Sequence, residues 1–143
     1  MRMILKQILL GLLLVVPTSA QEGAIERNAK GQTGRDIRLA VFASIKADCT
    51  AGQLPTVRLK QAPANGTVTV KQARMRTTNF KQCLAIEAPA FVASYRSAPG
   101  FVGQDTILIE VITAGGKVQV QRFTVAVEKP ATAVEKPATG QGI

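Results

Sequence analysis

Several residue types that carry common enzyme chemistry are missing or rare in this chain of 143 residues. It has no histidine and no tryptophan, one tyrosine, two cysteines and nine acidic residues. The usual general base of a nucleophilic triad is therefore absent. The scattered acids predict no carboxylate pair for glycoside hydrolysis, and no Gly-rich phosphate loop precedes a helix. We therefore expect a protein that is not an enzyme and has no catalytic residues, no metal site and no cofactor.

The first twenty residues have the three-part layout of a secretory signal peptide. Arg2 and Lys6 are followed by the apolar run 8–16, and small residues end at Ala20, after which we expect cleavage. The alternative is a membrane anchor, but a spanning helix needs about 20 apolar residues. No later stretch has that length. The sequence therefore predicts a periplasmic or secreted protein without a transmembrane segment after signal cleavage.

The two cysteines, Cys49 and Cys83, lie 34 positions apart. In an oxidising compartment such a pair most simply forms one disulfide. For a loop of this length the chain-entropy model gives a stabilisation of roughly 3–4 kcal/mol. The alternatives are two free thiols or half of a metal site, and without histidine two cysteines cannot complete a four-ligand zinc shell.

The remaining chain divides by pattern into three parts. Residues 21–35 are polar and predict a flexible leader, whereas apolar residues alternate with polar ones through most of residues 36–127. Alternation with period two indicates β-strands. The expected architecture is all-β, a β-sandwich of about seven strands with one disulfide and disordered termini. Strands are predicted at residues 37–45, 56–61, 67–71, 91–95, 105–112 and 117–127, with a short one near Cys83.

Three local features refine this prediction. Asn65-Gly66 is a strong hairpin signal and predicts that the strands on either side pair with each other. The apolar parity changes near Gln121-Arg122, which predicts a β-bulge. Residues 72–90 are the least regular part and predict an extended loop, since the Thr77-Thr78-Asn79 run interrupts any helix.

The tail, residues 128–143, contains a duplication. Residues 126–132 read AVEKPAT and are repeated as residues 133–139. A proline in every repeat removes a helical hydrogen bond each time, so a coiled coil is not expected. The tail is predicted to be an extended linker or free end, and the alternative is that it binds a partner.

Three segments resemble the bacterial Ig-like and cadherin-like repeat domains. They are residues 63–70 (PANGTVTV), 91–95 (FVASY) and 99–106 (PGFVGQDT). The resemblance covers about residues 56–127 and implies an Ig-like β-sandwich outside the cytosol. The chain has a single copy, lacks the acidic calcium-binding linkers of that family and carries an insertion around Cys83. The resemblance therefore implies a structural or binding role only by analogy.

The charge distribution is the most suggestive functional feature. Residues 21–143 carry 16 Lys and Arg against nine Asp and Glu, a net charge of +7. Seven cations between positions 58 and 96 are opposed by Glu87 alone and form the candidate anion-binding face: Arg58, Lys60, Lys71, Arg74, Arg76, Lys81 and Arg96. A patch of one sign attracts polyanions. The alternative is a solvated surface whose edge-strand cations discourage aggregation.

These observations predict a non-catalytic exported module with a binding or structural role. Its expected partner is an anionic envelope polymer or another envelope protein. Nucleic acid is not expected, because the compartment is wrong and few aromatic residues can stack on bases. The alternative is a small inhibitor or accessory subunit that acts through the disulfide-anchored loop 74–90.

Overall fold

The fold is described from a computed structural model of the chain, which describes residues 23–131. The predicted signal peptide and residues 132–143 of the predicted tail lie outside this range. Within it the chain forms seven strands and no helix, so the prediction of an all-β fold is confirmed. The strands are β1 (Ile25–Gln32), β2 (Asp36–Phe42), β3 (Thr56–Gln61), β4 (Gly66–Phe80), β5 (Cys83–Ser97), β6 (Gly103–Ile112) and β7 (Val118–Glu128).

The strands form two sheets. One has the order β1-β7-β6-β3 and the other the order β2-β5-β4. All pairings are antiparallel except that of β1 with β7, which is parallel. Residues 23–131 contain no helix long and apolar enough to cross a membrane.

One apolar core joins the two sheets. Residues from β6 and β7 pack with residues from β2 and β5, and the largest fully buried side chains are Tyr95, Phe123, Ile107, Ile109 and Val125. In β6 every second residue from Asp105 to Val111 is buried and the residues between are half-buried. This alternation is the period-two pattern visible in the sequence.

The predicted leader is wrong over residues 25–32, which form β1. The backbone of β1 pairs with β7 from Ile25↔Gln121 to Gln32↔Glu128. The sequence signal was missing because most β1 side chains are exposed and Ala29 is the part of the strand that packs on the core. Backbone pairing at a sheet edge needs no alternation of apolar residues.

The predicted hairpin at Asn65-Gly66 is also wrong, since β3 and β4 belong to different sheets. Gly66 does not adopt the positive φ that a tight hairpin turn requires. Instead, a Cβ at this position would lie 2.5 Å from Tyr95 Cε2 and 2.6 Å from the Arg96 carbonyl oxygen. Gly66 is therefore explained by a close approach to β5 and not by turn geometry.

The predicted bulge near Gln121 is absent, because β6 and β7 pair without a register shift from Gly103↔Val127 to Ile112↔Val118. Register shifts occur instead in β3, between Leu59 and Gln61, and in β2, between Arg38 and Ala40. The shift in β2 affects the core. It moves Phe42 into the core and leaves Val41 39% exposed, although unbroken alternation would place Val41 on the same face as the buried Ile37. A register shift of one residue moves the following side chains of a strand to the opposite face of the sheet.

The Cys49–Cys83 disulfide is present, as predicted, and the described residues contain no free cysteine. Cys83, Ile86 and Ala88 form a second small core with Ile45 and Cys49. An isolated pairing of Ile45 with Ala51 shapes the segment that carries Cys49. The bridge thus holds the β2–β3 connection against the distal part of β5.

Candidate functional site

Residues 72–90, predicted as a loop, form the distal part of a long hairpin. β4 and β5 have 15 residues each and pair without a register shift from Gly66↔Ser97 to Phe80↔Cys83. β2 pairs with β5 only as far as Phe42↔Phe91. Beyond that pair the hairpin continues as a two-stranded extension, and we call residues 73–90 the finger.

The finger is possible because its base and its tip are both held. A two-stranded ribbon alone is only marginally stable in water. Here the disulfide ties the tip to Cys49, and Gln82 Nε2 donates a hydrogen bond to the Ala47 carbonyl at 3.2 Å. The β-branched Thr77 and Thr78, which argued against a helix, are well suited to a strand.

The seven predicted anion-binding residues are distributed over both sheets. Arg58 and Lys60 lie on β3 in the four-stranded sheet, whereas the other five lie on β4, β5 and their turn. Within β4, Arg74 and Arg76 point to one face, and Lys71 points to the opposite face because side chains alternate along a strand. The structure therefore brings Arg74 and Arg76 together on the hairpin and places Arg58 and Lys60 in the other sheet.

Four of the seven cations form ion pairs. Arg74 Nε and Arg76 Nε lie 2.8 Å and 3.3 Å from the two carboxylate oxygens of Glu87, directly across the hairpin. Lys60 lies 3.4 Å from Glu110 on the neighbouring strand. Surface pairs of this kind contribute only about 0–1 kcal/mol to stability. Glu87 thus neutralises part of the charge of the finger but leaves it basic.

Arg96 has the most complete pairing of the seven. Its Nε and Nη2 donate to the two oxygens of Asp36 at 2.8 Å and 2.9 Å, which is a bidentate arrangement. The hydrogen bond from Arg96 is the main reason that the pKa of Asp36 is lowered, and the same bond raises the pKa of Arg96. The side chain of Arg96 therefore links β5 to β2.

The tip of the finger exposes apolar side chains that the sequence analysis did not single out. Leu84 is 83% exposed and Phe80 is 39% exposed, and Lys81 Nζ lies 5.5 Å from the centre of the Phe80 ring. Asn79 and Lys81 both adopt positive φ, which non-glycine residues rarely do. The tip therefore presents a leucine and an aromatic ring beside a cation. Their signal in the sequence was the presence of two large apolar residues within three positions of Cys83.

Next to the finger charges lies a groove of about 830 Å³ on the hairpin. Arg76, Thr77, Ile86 and Glu87 contribute to its lining. It combines a hydroxyl, an aliphatic side chain and charges of both signs. The surface is therefore suited to contact with a polymer or a protein surface rather than to enclosing a small substrate.

The residues that resembled a repeat-domain motif converge on Asp105. Its carboxylate accepts hydrogen bonds from the backbone N–H of Ala64 at 2.9 Å, of Asn65 at 2.9 Å and of Thr106 at 3.0 Å, and from the Tyr95 hydroxyl at 3.0 Å. Burial and the contact with Asp105 raise the pKa of Tyr95 to about 12. Three of these bonds join Asp105 to residues distant in the chain, which gives Asp105 a structural role.

The described residues contain no cluster of three or more His, Cys, Asp or Glu side chains that could hold a metal ion. In comparisons with known proteins, no family model, no curated protein and no solved structure matches the chain significantly. The candidate site therefore stands on its geometry, and that geometry consists of a disulfide-anchored finger with a basic face and an apolar tip.

Proposed function

We propose that this protein is an exported, non-catalytic Ig-like module that binds an anionic partner in the cell envelope or outside the cell, with the finger as its principal contact. The observation that carries the proposal is the composition of the finger. Within the finger, Arg74, Arg76 and Lys81 are opposed by Glu87 alone, and the exposed Leu84 lies near the tip. Charge attracts the partner, and the apolar tip adds area that is buried on contact.

The strand order supports the Ig-like part of this proposal. If β2 to β7 are lettered B to G, the sheets contain B-E-D and G-F-C, the arrangement of an immunoglobulin sandwich. β1 departs from the constant-type arrangement, because it pairs with the last strand and not with β2. The finger is an elongation of the hairpin between strands D and E.

Two observations support export. The sequence of residues 1–20 predicts a signal peptide, and a disulfide such as Cys49–Cys83 persists in oxidising compartments. Mass spectrometry of the protein purified from its native host tests this part. We expect a chain that begins at Gln21 with both cysteines bridged. An uncleaved chain with two reduced thiols would contradict export.

Binding to immobilised heparin, used as a model polyanion, tests the contact. We expect binding that weakens steeply with salt, because the attraction between exposed charges is screened. The triple variant R74A/R76A/K81A should lose at least about tenfold in affinity, roughly 1.4 kcal/mol. The matched control R27A/K117A/K129A removes the same charge from exposed positions outside the finger. Equal losses in both triple variants would reject the finger as the contact.

The exposure of Leu84 favours a second candidate, a small inhibitor or accessory subunit that inserts the finger tip into a protein target. This function predicts a stable complex with one envelope protein that resists salt and is lost in the Leu84→Ser variant. The anionic-partner function predicts instead that R74A/R76A/K81A binds the partner more weakly than Leu84→Ser does. Affinity capture with both variants from envelope extract at low and high salt distinguishes the two.

A further inference from the structure

Two glutamines occupy inward positions of β7 where the pattern calls for apolar residues. Because β6 and β7 pair without a bulge, Gln119 and Gln121 continue the row of Phe123 and Val125. Gln121 is only 5% exposed and lies beside the buried Ile109 of β6. Both glutamines therefore point inward within a regular strand, without a bulge that would reverse the faces of β7.

The hydrogen bonds of this amide pair are incomplete. Gln121 Nε2 donates to Gln119 Oε1 at 3.2 Å. Gln121 Oε1 is buried and has no donor among the described residues. A buried carbonyl without a donor destabilises a fold, and most buried polar groups avoid this state. An apolar residue would serve a purely structural position better.

The amide pair lines a cleft at one end of the sandwich, between the two sheets. The cleft has a volume of about 240 Å³, and its walls include Val41, Phe42, Pro55 and Val111. No charged residue contributes to the lining. The volume is below the roughly 300–1,000 Å³ of sites for drug-sized ligands. The cleft thus suits a small neutral group with an apolar part and a hydrogen-bond donor.

We propose that this end cleft binds one residue of a neutral peptide in extended conformation. A peptide N–H of the ligand donates to Gln121 Oε1, and the amide N–H of Gln119 is available to donate to a peptide carbonyl. The small side chain of the bound residue contacts Val41 and Val111. This site is independent of the charges of the finger and goes beyond the function proposed above.

Nuclear magnetic resonance on the ¹⁵N-labelled, disulfide-bonded protein tests this site, with N-acetyl-L-alanine methylamide as the probe. We expect saturable shifts of the Gln119 and Gln121 side-chain amide signals, with dissociation constants on the order of millimolar for so small a ligand. Acetate and methyl glucoside serve as charged and hydroxyl-bearing comparison probes and should give weaker effects. A saturable response to methyl glucoside alone would overturn the assignment to peptides.

The Gln121→Met variant keeps the length of the side chain and removes the acceptor. We expect it to weaken probe binding at least about tenfold, whereas Gln104→Met, at an exposed position of β6, should leave binding unchanged. Shifts that persist at full strength in Gln121→Met would overturn the proposal. An absence of saturable shifts in the unmodified protein would do the same without any variant.

Discussion

The residues around Asp105 show how a sequence motif becomes a structural constraint. Asp105 is 5% exposed, and its two oxygens accept four hydrogen bonds from three separate parts of the chain. Because a buried carboxylate is stable only when fully hydrogen-bonded, the surrounding residues must keep their positions. Residues from all three segments that resemble the repeat domains, Asn65, Tyr95 and Asp105, thus belong to one network.

Replacement of Asp105 by alanine should destabilise the fold by about 3 kcal/mol, because it leaves buried donors without an acceptor. Urea unfolding measured by circular dichroism gives this difference. The control is Asp48→Ala, since Asp48 is exposed and its side chain bonds only to the nearby Thr50. A loss below about 1 kcal/mol for Asp105→Ala would mean that the network contributes little to stability.

Gly66→Ala should destabilise the protein by about 1–3 kcal/mol, because the new methyl group overlaps the Tyr95 ring and the Arg96 backbone. Gly115→Ala is the matched control. Its added Cβ would have Thr113 Oγ1 as its nearest neighbour, at 3.9 Å. Thermal unfolding of both variants tests whether close approach explains the glycine. Equal effects of the two substitutions would contradict this account.

Tyr95 is the only tyrosine of a chain without tryptophan, so its ionisation can be followed by ultraviolet absorbance. Its pKa is raised to about 12 in the folded protein, against an ordinary value of 10.0. The neutral phenol is therefore favoured by folding. This contribution to stability is complete below the unfolded pKa and is lost as the pH rises through the folded pKa.

We accordingly expect the absorbance midpoint of the folded protein to lie well above that of the protein in denaturant. Stability should fall with increasing pH between about 10 and 12. A folded protein that titrates at the same pH as the denatured chain would show that Tyr95 is not held against Asp105.

At the scale of elements, the finger depends on the small core beside its disulfide. Cys83, Ile86 and Ala88 contact Ile45 and Cys49, and this cluster is separate from the main core. The two cores involve different parts of β5. Loss of the bridge is therefore expected to affect the distal finger and the β2–β3 connection before it affects the rest of the molecule.

Reduction of the disulfide should lower stability by roughly 3–4 kcal/mol in the chain-entropy model. Hydrogen exchange should then increase first in residues 73–90 and 43–55, while residues in β6 and β7 stay protected. The double variant C49A/C83A serves as a control without reductant. Uniform loss of protection across all strands would indicate that the two cores unfold together.

The sequence located β2, β3, β6 and β7 well but missed β1 and the distal parts of β4 and β5. β6 and most of β7 combine a buried face with a regular apolar pattern, and both were located. β1 and the finger were missed because their backbones pair while most of their side chains are exposed, so period-two patterning is weak. The sequence also could not show which sheet β4 joins, since Asn65-Gly66 is equally compatible with a hairpin and with a crossover.

The candidate site was only partly predictable for a related reason. The sequence identified the cations Arg74, Arg76 and Lys81 and the nearby Glu87. It could not show that Glu87 pairs with both arginines, because this contact depends on the register of β4 and β5. Lys60 is paired by the same kind of cross-strand contact with Glu110. The glutamine pair in β7 was attributed to a bulge, and only the observed register shows that it points inward.

At the scale of the whole molecule, β1 completes the larger sheet. It covers the edge of β7, and Ala29 adds to the core. Removal of residues 21–32 should therefore destabilise the protein by about 3 kcal/mol, since several backbone hydrogen bonds at about 1 kcal/mol each are lost. Removal of the repeat 133–139 is the control, and denaturant unfolding is the measurement. A neutral effect of the first deletion would restore the flexible-leader prediction.

The parallel pairing of β1 and β7 has a mechanical consequence. Ile25 lies beside Gln121 at one end of the ladder, and Gln32 lies beside Glu128 at the other, roughly 23 Å apart at 3.3 Å per residue. A tensile load applied at residues 25 and 128 acts along these strands and shears the whole ladder at once instead of opening it bond by bond. The fold is thus arranged to withstand stretching between whatever is joined to its two ends.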